Sequence, residues 1–129
     1  MDSFYPQPLM IPRRVSASQS HSRFARTLRS GKNALVMFYS KNCVLCRSLQ
    51  PLVDEVAKRE DDWLEVARIC TDAQDEWVPE MLHYGIEYVP CFVMLVPGGD
   101  AIMKSGPPKN SAIVSKSLVA MIEYSKLKE

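Results

Sequence analysis

Ala34-Leu35-Val36-Met37-Phe38-Tyr39, running through Ser40-Lys41-Asn42 into Cys43-Val44-Leu45-Cys46, is the stretch on which the fold turns. Its opening is apolar without alternation, which predicts a strand from Asn33 to Tyr39 buried on both faces. The spacing beyond it predicts a helix over 43–59, with Leu45, Leu49, Leu52, Val53 and Val56 on one stripe. Pro51 inside that helix removes one N–H and crowds the carbonyl four residues back, so a kink is expected. Two thiols therefore stand where a strand hands over to a helix. The first lies at the helix N-terminus, where unpaired N–H groups and the macrodipole favour a thiolate. The second lies one turn on, within disulfide reach.

Outward from this stretch the elements alternate. Phe24 and Leu28 predict a short helix over 18–29, with Ser18 or Ser20 as N-cap and Gly31 as a stop. Leu64 to Cys70 reads as a second strand, and Thr71 to Asp75 as a loop. A helix with Pro79 near its start then runs to Tyr84-Gly85. Cys91 to Val96 and Ala101 to Lys104 read as strands joined by the turn Pro97-Gly98-Gly99-Asp100. A last helix, capped by Asn110 or Ser111, points Val114, Leu118, Met121 and Ile122 inward. The order is one α/β domain over 18–129, a mixed central sheet of four or five strands with helices on both faces. Residues 1–17, with Pro6, Pro8 and Pro12, read as a flexible segment.

The chain has 129 residues, 47% of them hydrophobic and 24% charged, enough for one domain with its own core. No apolar run approaches the roughly 20 residues of a membrane span. The net charge of +1 hides an asymmetry: residues 1–53 hold eight basic residues and one acid, residues 54–129 eight basic and fourteen acids. A basic face would suit nucleic acid, but the positive residues fall mainly in a Ser- and Arg-rich leader, a composition like that of an organelle transit peptide. Val15-Ser16-Ala17-Ser18 resembles a plastid processing site; the competing reading makes Arg14-Val15-Ser16 a first strand. No phosphate-binding glycine loop, Ser/His/Asp set or nucleic-acid motif is present. Zinc would need two more ligands, and Cys70, Cys91, His21 and His83 form no second close pair, so no metal is expected.

These residues resemble the thioredoxin family over about 15–125. Arg47 follows the second cysteine, Pro51 stands five residues after Cys46, and Tyr84-Gly85-Ile86-Glu87-Tyr88-Val89-Pro90 is similar to the family's segment ending in a cis-proline. Gly98 and Gly106 match its turn and loop glycines. The resemblance implies a thioredoxin fold, a cis Val89-Pro90 bond, Cys43 as nucleophile, Cys46 as resolving thiol, and a client groove across Asn42, Val89, Pro90 and Gly106.

The departures bear on function. Asn42 replaces the family's tryptophan, Val44-Leu45 its Gly-Pro, and Cys91 the threonine after the cis-proline. Met37 takes the place of the buried aspartate that helps deprotonate the second cysteine, and Arg68 that of its companion lysine. About three extra residues lie before the Pro79 helix, where Trp77 reads as an exposed partner contact. Cys91 is an auxiliary redox thiol near the pair, a partner of Cys43 in binding a metal or cluster, or a small buried strand residue; Cys70 reads as structural. Asp54 and Glu55 are expected to face solvent.

The expected activity is protein-disulfide reduction or thiol–disulfide exchange, slower than in a standard thioredoxin. Electrons would come from an upstream thiol reductase or a small thiol, and no bound organic cofactor is needed. The alternative is a weakly redox or non-catalytic interaction module using the same groove. The expected setting is a monomer in an intracellular reducing compartment, cytosol or plastid stroma, acting on disulfide-containing clients and not on nucleic acid or membranes.

Overall fold

The structure, a computed structural model, describes residues 24–72 and 74–128. The readings of residues 1–17 and of a strand at 14–16 lie outside the described residues. Four strands, β1 (Asn33–Tyr39), β2 (Leu64–Cys70), β3 (Cys91–Leu95) and β4 (Ala101–Lys104), form one mixed sheet in the order β2-β1-β3-β4. β1 runs parallel to β2 and antiparallel to β3, and β3 pairs antiparallel with β4. The continuous apolar run of β1 has the expected cause: it lies between two neighbours and under two layers, buried from Asn33 through Phe38.

Among the described residues stand the helices α1 (Val44–Arg59), α2 (Gln74–His83) and α3 (Ser111–Lys128), and residues 24–28 are also helical. Alternation along the strands sorts their side chains into two cores. Leu35, Met37, Phe92 and Met94 face one layer with Cys46, Leu49, Val53 and Val56 of α1 and Val114, Leu118, Met121 and Ile122 of α3. Val36, Phe38, Cys91, Val93 and Leu95 face the other, closed by Phe24 and Trp77.

Helix ends account for most of the boundary differences. Cys43 is not a helical residue but the N-cap of α1, with extended backbone at φ −86° and ψ 108°. Asn110 caps α3, its side-chain oxygen accepting the Ile113 N–H at 2.9 Å. α2 begins at Gln74, inside the expected loop, and takes Pro79 into its interior. It ends in a Schellman motif: Gly85, at φ 66°, lets Ile86 N–H reach Met81 O at 2.8 Å and Gly85 N–H reach Leu82 O at 3.2 Å. Trp77 corrects the expectation of an exposed contact. It is 5% exposed and stacks edge-on against Phe24, ring centroids 5.8 Å apart, because the early start of α2 turns it onto the sheet.

Candidate active site

Cys43 and Cys46 are joined in a disulfide with their Cα atoms 5.2 Å apart, inside the range such bonds adopt. The helix makes this distance: Cys43 is the cap and Cys46 sits in the first turn. The Cys46 N–H, one of the donors a helix start leaves unpaired, points at Cys43 Sγ at 3.0 Å. No acid stands in the first turn of α1 to oppose negative charge on that sulfur. Cys43 is half-buried, whereas Cys46 is 1% exposed in the α1 core. One sulfur can meet a partner and the other is sheltered behind it.

The loop before Cys43 is held from the next strand. Parallel pairing sets Tyr39 opposite Cys70, so the residues after both strands meet. Asp72 accepts the Ser40 hydroxyl at 2.8 Å and the Lys41 backbone N–H at 3.0 Å. These two donors, Lys41 first, hold its carboxyl below the usual carboxylate range. Thr71 N–H adds a 2.7 Å bond to Tyr39 O, and Arg47 Nη1 folds back onto Lys41 O at 2.9 Å. Asp72 carried no sequence motif; only the register of β1 against β2 brings it here.

The Val89-Pro90 peptide bond is cis. Val89 packs beside both cores, Pro90 is buried, and Asn42 is exposed next to Cys43. Ser105 fastens the loop carrying Gly106 to this segment. Its N–H donates to Phe92 O at 2.8 Å, its hydroxyl accepts the Phe92 N–H at 2.9 Å, and its carbonyl accepts the Tyr88 hydroxyl at 2.7 Å. Gly106 is exposed, and a Cβ built on it would meet nothing within 4 Å. Val44, between the cysteines, is 69% exposed and gives this end of the molecule an apolar tip.

Cys91 is not brought together with the disulfide. It lies fully buried in the Phe38 and Trp77 core, on the opposite face of the sheet from Cys46, and burial raises its thiol above the ordinary range. Cys70 is half-buried, its Sγ 3.5 Å from Asp72 Oδ2. Among the described residues no three His, Cys, Asp or Glu converge to hold a metal ion. Met37 is 0% exposed in the core beside Cys46. Arg68 reaches across to α1 and bonds Asp54 at 2.6 Å and Gln50 at 2.5 Å. Asp54 faces solvent as expected, 61% exposed.

Comparison with known proteins agrees with this arrangement. A family profile described as thioredoxin matches residues 15–118. The chain is 28% identical over 100 residues to a thiol:disulfide interchange protein TxlA homolog of Synechocystis sp., covering 78% of this chain and 55% of that protein. It is 31% identical over 72 residues to a chloroplastic thioredoxin-like protein of Oryza sativa, covering 56% of this chain and 27% of that one. The chain thus spans about half the length of the first relative, and less of the second. Among solved structures, the germline-specific thioredoxin Deadhead of Drosophila melanogaster superposes with a TM-score of 0.67 at 18% identity, covering 89% of this chain and 98% of that one. Thioredoxin O2 of Arabidopsis thaliana in its oxidised state gives 0.65 at 13%, covering 84% and 87%. With the profile spanning most of its length, a cysteine-capped helix and a cis-proline immediately before β3, this chain belongs to the thioredoxin family.

Proposed function

We propose that the protein reduces disulfides of client proteins by thiol–disulfide exchange through Cys43 and Cys46. The observation that carries this reading is the pair itself: a half-buried sulfur capping a helix, bonded to a buried sulfur in the same turn. In the reduced protein the Cys43 thiolate attacks one sulfur of a client disulfide. A mixed disulfide forms and the other client sulfur leaves as a thiolate. Cys46 then loses its proton and attacks Cys43 Sγ, which releases the second client sulfur and closes the Cys43–Cys46 bond. The client gains two electrons and the protein loses two. An upstream thiol reductase or a small thiol returns them by attack on Cys43.

The client lies across Asn42, Val44, Val89, Pro90 and the Ser105-Gly106-Pro107 loop, where the exposed Asn42, Val44 and Gly106 are free to meet an extended segment. Asn42 offers it a small polar side chain. The protein works as a monomer in a reducing compartment, cytosol or plastid stroma; similarity to the chloroplastic Oryza protein supports the second. Because Met37 offers no carboxylate beside Cys46, turnover is slower than in a standard thioredoxin.

Insulin reduction with dithiothreitol as donor tests this. Turnover above background that disappears in Cys43→Ser is the expected result. In Cys46→Ser, clients accumulate on Cys43 as mixed disulfides. Background rates in the native protein, with clients retained equally by Cys43→Ser, would mean a binding module instead.

A further inference from the structure

We propose that Gln50 supplies the hydrogen-bond donor that stabilises Cys46 as a thiolate, and that Arg68 is the positioning residue for its amide. The proposal rests on the exchange reaction above and concerns its second step. Cys46 must become an anion in an apolar core, where burial opposes the charged form, and Met37 beside it provides no base.

Gln50 stands four residues after Cys46, on the same face of α1 and one turn on. Its orientation follows from chemistry. Arg68 Nη1 lies 2.5 Å from one end of the amide, and a guanidinium only donates, so that end is the carbonyl oxygen. The opposite end, Nε2, is thereby aimed inward and lies 3.8 Å from Met37 Sδ. Met37 and Cys46 share one core cluster, at 0% and 1% exposure. A thioether is a weak acceptor. Among the described residues it is the partner Nε2 has, so a half-buried donor is held one helical turn from the cysteine, against a residue of the same core, with no strong acceptor. Asp54 fixes the other arm of Arg68 at 2.6 Å.

In the oxidised protein no anion is there to receive this donor. When Cys43 carries a client, Cys46 Sγ–H releases its proton to water, and the N–H of Gln50 turns from Met37 Sδ to the new thiolate. That thiolate forms the bond to Cys43 Sγ, the mixed disulfide breaks, and the departing client thiolate takes up a proton. Hydrogen bonds to charged groups are the strong ones, so the donor lowers the proton affinity of Cys46 where Met37 cannot.

Stopped-flow reaction of the reduced protein with 5,5′-dithiobis(2-nitrobenzoate) separates the steps. The first thionitrobenzoate released reports attack by Cys43; the second reports resolution by Cys46. In Gln50→Leu the pH midpoint of the second phase rises by about one unit, and its rate at neutral pH falls roughly tenfold relative to the first phase. Arg68→Leu moves the midpoint the same way by less, and the double variant goes no further than Gln50→Leu. Circular dichroism is used to check that all three variants fold. An unshifted midpoint in folded Gln50→Leu would overturn the proposal. Absence of any second phase in the native protein would instead overturn the exchange reaction on which it stands.

Discussion

Asp72 Oδ2 accepts the backbone N–H of Lys41 at 3.0 Å, across the gap between the ends of two parallel strands. The same carboxylate takes the Ser40 hydroxyl at 2.8 Å, so one side chain on the β2 side sets the path of the loop that delivers Cys43. Asp72→Ala frees the Lys41 amide, and its hydrogen exchange accelerates while that of Val36 in the centre of β1 does not. The pH dependence has a definite sign. The folded carboxyl is held below its usual range, so the contact is present above the unfolded value and lost as pH falls through the lowered one. Equal Lys41 protection in the native protein and the variant would remove Asp72 from this role.

Gly106 tests the client groove separately from the fold. Its backbone is not left-handed and a Cβ there meets nothing within 4 Å. Gly106→Val is therefore expected to keep stability within about 0.5 kcal/mol. On the proposed reading the added branches fill space that an extended client needs, so kcat/KM for insulin is expected to fall several-fold with an unchanged melting temperature. Undiminished turnover in Gly106→Val would take this loop out of the groove.

Glu60 is a structural carboxylate at the other pole. It is 4% exposed and accepts Trp63 Nε1 at 2.7 Å and Arg59 Nε at 3.0 Å, with Lys126 Nζ of α3 at 3.4 Å. The Trp63 bond above all holds its carboxyl below the ordinary range, against the opposing effect of burial, with Arg59 and Lys126 assisting. A lowered folded value contributes stability that is fully present above the unfolded one and fades as pH falls through the folded one. Glu60→Gln is expected to lose about 1–3 kcal/mol at pH 7, with the difference closing in acid. Urea titrations at neutral and acid pH measure both; a constant difference would contradict the assignment.

Trp77 belongs to the core, which fixes the size of its effect. At 5% exposure and in edge contact with Phe24, its truncation to Ala is expected to lose about 3–5 kcal/mol. A surface tryptophan would lose a few tenths. Chemical denaturation of Trp77→Ala decides between them.

Much of this was legible in the chain. The unbroken apolar run of β1 and the two-thiol spacing at its exit located the strand, the helix and the disulfide, because both depend on residues close in sequence. The turn at Gly98-Gly99 was equally local, whereas the cis Val89-Pro90 bond followed only from the resemblance of residues 84–90 to the family's segment. The start of α2 is hidden in the sequence because Thr71 to Asp75 is polar and resembles a loop, and the burial of Trp77 depends on that start.

The order of residues alone determined most of the strand and helix segments and that Cys43 and Cys46 can bond; the family resemblance added that Met37 stands where a carboxylate would lie behind them. Only the tertiary structure decided which distant groups answer one another. Parallel register set Asp72 under the Cys43 loop, pleat alternation sent Cys91 to the far face, and packing of β2 beside α1 joined Arg68 to Gln50. Such contacts depend on strand pairing and helix placement, which cooperate over the whole sheet and leave no mark at the spacing of neighbouring residues.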